Sequence, residues 1–399
     1  MKVYLDYAAT SLVKKEVFEA MKPYFSEKFG NASSIHSFGQ EAREAVDKSR
    51  EILAKFFNSK PQEVIFTSGG SEADNLAIRG IVITAWEKNN KKPVHIITSA
   101  FEHPAVLESC RHLEKNGVAE VSYIKPDKKG IIDPEDIKKA IKNNTVLVTI
   151  MYVNNEVGTV QPIREIGKMI EKLKTENLKL KTVFHTDAVQ AVEYQNCDID
   201  FLHVDALSIS GHKFGAPKGV GALIIREDIP IEPQISGGHQ EQGRRAGTEN
   251  VAGIVGLGKA IELINPKEAI RINSLRDYLI KKLKKEIPDI RFNGCLRRRN
   301  PNNINVSFPG TEGESILINL DQLGIAVSTG SACSSGSLSP SHVLLAMGLS
   351  PLQAHSSIRF TLGPSNTKEQ INYVVKNLKK IIEKLRVISK GIRIDNKDK

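Results

Sequence analysis

Short apolar runs alternate with helical stretches between residues 40 and 260, and this alternation constrains the fold more than any other feature. The apolar runs have the length of buried strands, and the stretches between them carry apolar residues at helical spacing. This pattern is typical of an α/β protein, in which helices cover both faces of a parallel sheet. The predicted strands are 64–66, 94–97, 146–153, 183–184 and 206–209, and the predicted helices are 40–57, 72–88, 104–116 and 165–174, with a small amphipathic segment at 14–25 before them.

The pattern changes after about residue 265, where basic helical segments replace the alternation. They are followed by residues 302–308, in which polar and apolar side chains alternate as in a half-exposed strand. The chain has 399 residues, more than the roughly 250–300 at which a single hydrophobic core stops growing. We therefore expect a second, smaller α+β domain.

The composition excludes several classes of protein. The chain is 40% hydrophobic and 26% charged, as in ordinary globular proteins. No apolar run reaches the roughly 20 residues that a membrane helix needs, so we expect no membrane partner. Asp6 precedes any apolar signal region, and we therefore expect a cytoplasmic protein.

The net charge of +10 raises the question of a nucleic-acid partner. The densest basic patches, at 281–285, 297–299 and 376–384, contain no interleaved aromatic residues on which bases would stack. We interpret the excess charge as solvated surface and expect no nucleic-acid partner. The four cysteines stand far apart without a CxxC pair, which argues against a metal site or a disulfide framework.

Polar clusters follow the predicted strands at the point where each one ends. Parallel strands end at the same edge of a sheet, and open α/β sheets bind their ligands in the crevice there. Five clusters on successive strands therefore predict one binding site built from several chain segments. The clusters are 67–71, 99–103, 154–158, 186–190 and 210–213.

The first cluster is suited to binding a phosphate. Gly69 and Gly70 lie between a strand and a helix, where backbone amides can approach an anion at the positive end of the helix. Taken alone, such a turn also fits a tight connection without function. The segment matches neither the Walker pattern nor GxGxxG, which disfavours ATP and NAD.

The other clusters contain residues that pyridoxal phosphate requires. Lys213 follows an apolar strand, where burial would lower its pKa, as a Schiff-base lysine needs. Asp187 could pair with a protonated pyridine nitrogen, although a helix cap is the structural alternative. Asn155 and Gln190 could contact the ring oxygen, and His103 could stack on the ring. Each has an alternative as a loop residue, but together they predict this cofactor.

Nine segments resemble the cysteine desulfurases, within the fold-type I enzymes that use pyridoxal 5′-phosphate. The resemblance covers nearly the whole chain. It implies a mostly parallel seven-stranded sheet in a large domain at 15–262. It also implies a small α+β domain formed by 1–14 and 263–399, which carries a catalytic cysteine loop at about 326–340. The segments are 4–10, 30–36, 67–75, 102–103, 154–158, 185–190, 210–214, 243–250 and 328–337.

The resemblance implies three catalytic residues. Lys213 would hold the cofactor as a Schiff base, His103 would stack on its ring and move protons, and Cys333 would receive sulfur. Cys333 lies in a run of small residues too poor in apolar atoms to pack as core, which favours an exposed thiol. The other cysteines are interpreted as structural or incidental.

The resemblance also implies the binding residues. Asp187 would pair with the pyridinium nitrogen, and Asn155 and Gln190 would contact the ring. Arg359, with Asn155, would bind the substrate carboxylate, which suits a planar guanidinium, although its strand-like setting alone also fits a surface charge. The phosphate would be held by Gly70, Ser71, Ser210 and His212, and by Thr248 of the other subunit of a homodimer.

The implied activity is the removal of sulfur from L-cysteine, giving L-alanine and a persulfide on Cys333. This sulfur would supply iron–sulfur cluster assembly, other sulfur-containing cofactors or tRNA thiolation, through an acceptor such as an iron–sulfur scaffold protein. The segment 237–242 departs from the family pattern, with His239 and Gln242 where glycine and arginine are usual.

Two other interpretations stay open. An aminotransferase or a selenocysteine lyase of the same fold would share the cofactor site, and an aminotransferase has no need of Cys333. A non-catalytic scaffold or nucleic-acid-binding protein would keep the fold and use its basic surface.

Overall fold

The computed structural model describes residues 1–176, 181–329 and 339–395, and its strands form three sheets. The strands are β1 Val3–Tyr4, β2 Val64–Thr67, β3 Val94–Ser99, β4 Ala119–Ile124, β5 Thr145–Thr149, β6 Val183–Asp187, β7 Ala206–Ser210, β8 Gly221–Ile225, β9 Arg291–Asn293, β10 Asn303–Ser307, β11 Ile325–Ala326 and β12 Ser357–Thr361.

Helices connect most of these strands. The α-helices are α1 Lys15–Met21, α2 Ser37–Phe57, α3 Gly70–Lys88, α4 Pro104–Lys115, α5 Pro134–Ala140, α6 Ile163–Glu176, α7 Ile199–Leu202, α8 Val251–Glu262, α9 Pro266–Glu286, α10 Gly313–Asp321, α11 His342–Ala346, α12 Pro351–His355 and α13 Lys368–Asp395. Short 3₁₀ turns lie at Lys22–Phe25, Pro61–Glu63, Gly211–Lys213 and Gln240–Gly243. In the described ranges, no helix combines the length and the apolar character needed to cross a membrane.

The largest sheet has seven strands in the order β2-β8-β7-β6-β5-β3-β4. The pairs from β7 to β4 are parallel, and β8 runs antiparallel to both of its neighbours. The prediction of a mostly parallel seven-stranded α/β sheet is therefore confirmed. Because β8 is inserted in the opposite direction, β2 and β7 run the same way and present their carboxyl ends at one edge.

Every predicted strand overlaps an observed one, but in the seven-stranded sheet β4 and β8 lie where no strand was predicted. The predicted strand 146–153 was too long, because β5 ends at Thr149 and the chain then leaves the sheet. The internal strand β7 is buried along its whole length, as expected for a sheet covered on both faces. In β4, by contrast, most residues are only partly buried, because this strand forms an edge of the sheet.

A second core surrounds β9, β10 and β12, which form an antiparallel sheet, together with α9, α10 and α13. The expectation that 302–308 is half exposed is wrong, because every residue of β10 is buried. The polar face of β10 is covered by the loop that follows β5. The side-chain amides of Asn303 and Asn305 donate to the carbonyl oxygen of Glu156 in that loop, at 3.4 and 3.2 Å. An alternating strand can thus bury both faces when its polar side meets a hydrogen-bonding loop.

The two cores do not divide the chain at a single point. The amino-terminal Val3 and Leu5 pack in the second core, whereas Val343 and Leu344 pack in the first. The bounds of a large domain at 15–262 and a small domain at 1–14 and 263–399 remain a prediction, and the segment that contains α11 packs across them.

Two glycines with nearly equal φ angles allow the contact between the cores to be tested. Gly158 has φ +70°, and a Cβ atom there would lie 2.5 Å from the Asn303 side chain; Gly117 has φ +69° and open space around it. Substitution by alanine should cost about 1–2 kcal/mol at either position, because both are left-handed. Gly158→Ala should cost roughly 1–3 kcal/mol more through the clash. Urea unfolding of both variants measures the difference in the free energy of unfolding. Equal losses of stability would show that Asn303 accommodates the added methyl group without an energetic penalty.

Candidate active site

A cavity of about 450 Å³ opens at the carboxyl ends of β2, β3, β5, β6 and β7. The five polar clusters predicted from the sequence meet at this edge, since parallel strands end together. Its lining includes most of the predicted site residues: Gly70, Ser71, His103, Asn155, Asp187, Gln190, Ser210, His212 and Lys213.

Lys213 lies in the turn after β7 and reaches the amino-terminal segment of the chain. Its Nζ donates to the carbonyl oxygens of Ala8 and Ala9, at 2.7 and 2.9 Å. Gln190 donates to the same Ala8 oxygen at 3.0 Å. Two predicted cofactor contacts thus share one backbone acceptor. Sequence reasoning missed Ala8, because a backbone acceptor leaves no signal in residue type.

Asp187 ends β6 and is buried at the cavity wall. One carboxylate oxygen accepts from the Val189 amide at 2.9 Å. Burial raises the pKa of Asp187 to about 6, while the Val189 amide and the nearby Lys213 charge act in the opposite direction. A cation placed against this carboxylate would therefore favour its ionised form.

Asp74, from the first turns of α3, also lines the cavity, and sequence reasoning missed it. It is buried, and among the described residues its Oδ1 has no hydrogen-bond partner. Burial and the neighbouring Asp187 charge raise the pKa of Asp74 well above its ordinary value. The sequence signal was a single acid in an otherwise apolar helix face, which does not by itself indicate a site.

The turn between β2 and α3 forms an anion cradle. The 19-residue helix begins at Gly70 without a side-chain cap, so its first amides face the cavity. A Cβ atom on Gly70 would lie 2.7 Å from Val189 Cγ2, so only glycine fits without displacement. Glu72 also lines the cavity, and it pairs with Arg245 at 2.7 Å, so the guanidinium compensates its charge.

His103 caps the start of α4, and its Nδ1 accepts from the Ala105 amide at 3.1 Å. Burial lowers the pKa of His103 to about 4, and the positive charge of Lys213 adds to this effect. The ring is therefore neutral at pH 7. Because Nδ1 is an acceptor, the proton of the neutral ring is on Nε2.

Arg359 lies behind the cavity wall instead of at the surface. It is only 2% exposed, so the alternative of a surface charge is wrong. One Nη atom donates to the Asn155 carbonyl oxygen and the other to Asp6 Oδ1, both at 2.8 Å. Its Nε is buried without an acceptor within the described residues.

Cys333 lies outside the described residues, but the residues that flank its segment meet the site. Ser328 pairs with Arg359 through backbone hydrogen bonds on one side. On the other side Ser341 donates to the buried Glu156 carboxylate, and His342 Nε2 lies 2.9 Å from the Glu102 carbonyl oxygen. These contacts hold Ser328, Ser341 and His342 beside residues of the site.

The remaining predicted residues are placed as follows. Thr248 is exposed and does not line the cavity of its own chain. Cys110, Cys197 and Cys295 are buried, and burial raises the thiol pKa of the first two. A buried thiol of raised pKa is a poor nucleophile.

A lysine, a buried carboxylate and a helix amino terminus gathered at one sheet edge define an enzyme site of the α/β class. Residues 3–374 match the aminotransferase class-V family. The chain is 54% identical over 391 residues to the cysteine desulfurase IscS of Dictyoglomus turgidum, covering 97% of this chain and 96% of that protein. It is 48% identical over 390 residues to the cysteine desulfurase IscS of Methanosarcina thermophila, covering 97% and 93%.

Solved structures are similar as well. A NifS-like protein superimposes with a TM-score of 0.87 at 37% identity, covering 96% of this chain and 100% of that one. A structure described as SspA in complex with cysteine gives a TM-score of 0.80 at 36% identity, covering 92% and 100%. The chain therefore belongs to the aminotransferase class-V family, and the resemblance to the cysteine desulfurases is confirmed.

Glu102 allows the electrostatics of the site to be tested in the protein alone. Its carboxylate accepts from the Met151 amide, and burial raises its pKa from 4.5 to about 8. The folded chain therefore holds a proton that the unfolded chain loses above about pH 4.5, so stability falls as pH rises through this window. Glu102→Gln, which resembles the protonated acid, should flatten this fall in urea unfolding between about pH 6 and 8.

Glu108→Gln, at an exposed position in α4, is the matched control. Its free energy of unfolding should fall with pH as steeply as that of the wild type. An unchanged slope in Glu102→Gln would show that the acid is ionised in the folded state.

Proposed function

We propose that the chain is a cysteine desulfurase that uses pyridoxal 5′-phosphate to move the sulfur of L-cysteine to Cys333, with release of L-alanine. The observation that carries this proposal is the meeting of Lys213, Asp187 and His103 around one cavity that also contains an anion cradle. The names of the relatives support the same reaction, and the similar SspA structure is described as a complex with cysteine.

The residues around the cavity fit the cofactor. The glycine-bounded cradle matches a phosphate, and Asp187 offers a buried carboxylate to a ring cation. Asn155 has a buried Oδ1 that accepts no hydrogen bond from the described residues. Lys213 would bind the cofactor aldehyde, with Asp187 at the ring nitrogen, His103 on the ring face and Asn155 and Gln190 at the ring oxygen. The phosphate would be held by Gly70, Ser71, Ser210 and His212, and by Thr248 of the partner subunit.

When bound, pyridoxal phosphate supplies an electron sink that stabilises negative charge at the substrate α-carbon. Asp187 supports this role, because an ionised carboxylate favours a protonated ring nitrogen. The neutral His103 ring can take up a proton during the reaction, and its low pKa lets it release that proton again.

Arg359 can still donate from Nε to a substrate. Its two Nη atoms bind Asn155 and Asp6, whereas its buried Nε is without an acceptor among the residues described. We assign this donor, with the Asn155 side chain, to the substrate carboxylate. The planar guanidinium is suited to this contact because it donates in fixed directions.

The sulfur step is a nucleophilic displacement. The Cys333 thiolate attacks the sulfur of the substrate, so a sulfur–sulfur bond forms and the carbon–sulfur bond breaks. The electron pair of the broken bond stays on the substrate carbon, which takes up a proton and becomes the methyl group of alanine. Cys333 thereby carries a persulfide for an acceptor such as an iron–sulfur scaffold protein, for cluster assembly, other cofactors or tRNA thiolation. The proposed location is the cytoplasm.

Substitution of Cys333 distinguishes this function from that of an aminotransferase. Cys333→Ala should keep the cofactor absorbance but lose alanine formation from L-cysteine by at least about a hundredfold, because the sulfur acceptor is gone. Mass spectrometry of wild-type peptides should place one added sulfur atom on Cys333. Lys213→Ala is the control that should lose the covalent cofactor instead. Undiminished turnover of Cys333→Ala, or a wild-type protein that binds no cofactor when supplied, would contradict the proposal.

We also propose that the chain is a homodimer with shared active sites. Large apolar side chains are exposed in the amino-terminal region, and an apolar surface of this kind marks an interface. Ile35 is 92% exposed, and the exposed Phe29 and Phe38 rings pack together at 5.7 Å. Thr248 is exposed as well, as a residue that completes the partner's site would be. A second copy covering this surface would bury both features.

A charge in this region should therefore weaken the dimer. Ile35→Asp should shift the protein towards monomer in sedimentation velocity, because a buried carboxylate without a partner is costly. Leu352→Asp, at a 70% exposed position in α12, is the matched control and should remain dimeric. A monomeric wild-type protein, or an effect of equal size in both variants, would contradict the assignment.

A further inference from the structure

A buried ion pair closes the outer edge of the large sheet. β2 is the edge strand, and the outward backbone groups of Val64 and Phe66 have no neighbouring strand. Instead, Arg50 Nη1 donates to the Val64 carbonyl oxygen at 2.6 Å, and the Phe66 amide donates to Glu241 Oε2 at 2.9 Å. The ion pair thus takes the hydrogen-bonding place of an eighth strand.

The two side chains are also bonded to each other in a fork. Arg50 Nη1 and Nη2 donate to the two Glu241 oxygens at 2.9 and 2.7 Å. The Arg50 guanidinium carbon lies 4.6 Å from the centre of the Phe66 ring. Both residues are buried, so each charge depends on the other for its compensation.

Glu241 lies in a segment that the backbone conformation strains. Glu241 and Gln242 have φ angles of +48° and +59°, in the left-handed region that residues other than glycine rarely occupy. Such angles persist only where surrounding contacts enforce them. Here the contacts are the three hydrogen bonds to the Glu241 carboxylate. The same segment departs from the family pattern at Gln242.

This segment reaches the anion cradle from two sides. On one side, Glu241 fixes β2, which runs directly into Ser68 and Gly69. On the other side, Arg245 pairs with Glu72 in the first turn of α3, and Glu72 accepts from the Ser68 amide at 2.8 Å. The strand before the cradle and the helix after it are therefore both attached to the segment 241–245.

We infer that Glu241, through Arg50 and the edge of β2, is a positioning residue for the anion cradle at 68–71. This inference deepens the proposed function and rests on it, because the anion is the phosphate of the proposed cofactor. The Glu241 carboxylate does not touch the ligand. It sets the position of the strand from which the cradle begins.

Glu241→Gln tests the inference in the purified full-length protein. The variant removes the charge, keeps the shape and leaves Arg50 without its ionic partner. We expect the dissociation constant for pyridoxal phosphate, followed by absorbance, to rise about tenfold, equivalent to roughly 1.4 kcal/mol. The dissociation constant for inorganic phosphate alone should rise in parallel. Hydrogen exchange of the peptide that carries Phe66 should become faster, because its amide loses a charged acceptor.

Asp47→Asn is the matched control. Asp47 pairs with Arg43 on the exposed side of α2, the helix that also carries Arg50. This variant should bind both ligands like wild type. If Glu241→Gln does not fold, Arg50→Lys keeps a positive charge next to Glu241 but loses the fork, and should weaken binding in the same direction.

Two results separate the inference from the proposed function. A lower melting temperature with both dissociation constants within about twofold of wild type, measured well below melting, would overturn the inference and leave a purely structural pair. A wild-type protein that binds inorganic phosphate but not pyridoxal phosphate would overturn the proposed function. In that case the phosphate and exchange measurements still decide the role of Glu241.

Discussion

The buried Arg359 guanidinium connects the parts of the chain from which the site is built. It binds Asn155 in the wall of the cavity and Asp6 in the amino-terminal segment. That segment continues to Ala8 and Ala9, whose carbonyl oxygens receive the Lys213 amine. The position of Lys213 thus depends on the charge of Arg359, which lies about 350 residues from Asp6 in sequence. Loss of the Arg359 charge would leave the Asp6 carboxylate without its ionic partner.

Burial sets the charge state of the site. It raises the pKa of Asp187 to about 6, of Glu156 to about 7 and of Glu102 to about 8, and lowers that of His103 to about 4. The region of the cavity therefore carries less negative charge than these acids would carry in water, with Asp187 in the lining and Glu102 and Glu156 outside it. An anion such as phosphate can approach it more easily, and a bound cation would draw Asp187 into its ionised form. The proposed cofactor brings both charges.

The carboxyl edge of the sheet is held by contacts that reach it from outside. Arg50 and Glu241 close the edge of β2 before the cradle, and Ser341 and His342 fix the residues after the proposed catalytic cysteine segment. In each case a polar side chain binds a group that would otherwise be buried without a partner. The strands supply a common edge, while these contacts position the loops that emerge from it.

The sequence by itself determined the α/β class and the glycine turn, and it pointed to Lys213, Asp187 and His103 as candidates. Strand and helix periodicity and the chemistry of a single side chain are local properties. The sequence did not reveal β8, Asp74 or the burial of Arg359. The antiparallel insertion of β8, the orphaned oxygen of Asp74 and the pairing of residue 6 with residue 359 depend on segments distant in sequence. Only the tertiary structure brings such segments together, since hydrogen bonds and desolvation act over a few ångströms of space regardless of separation along the chain.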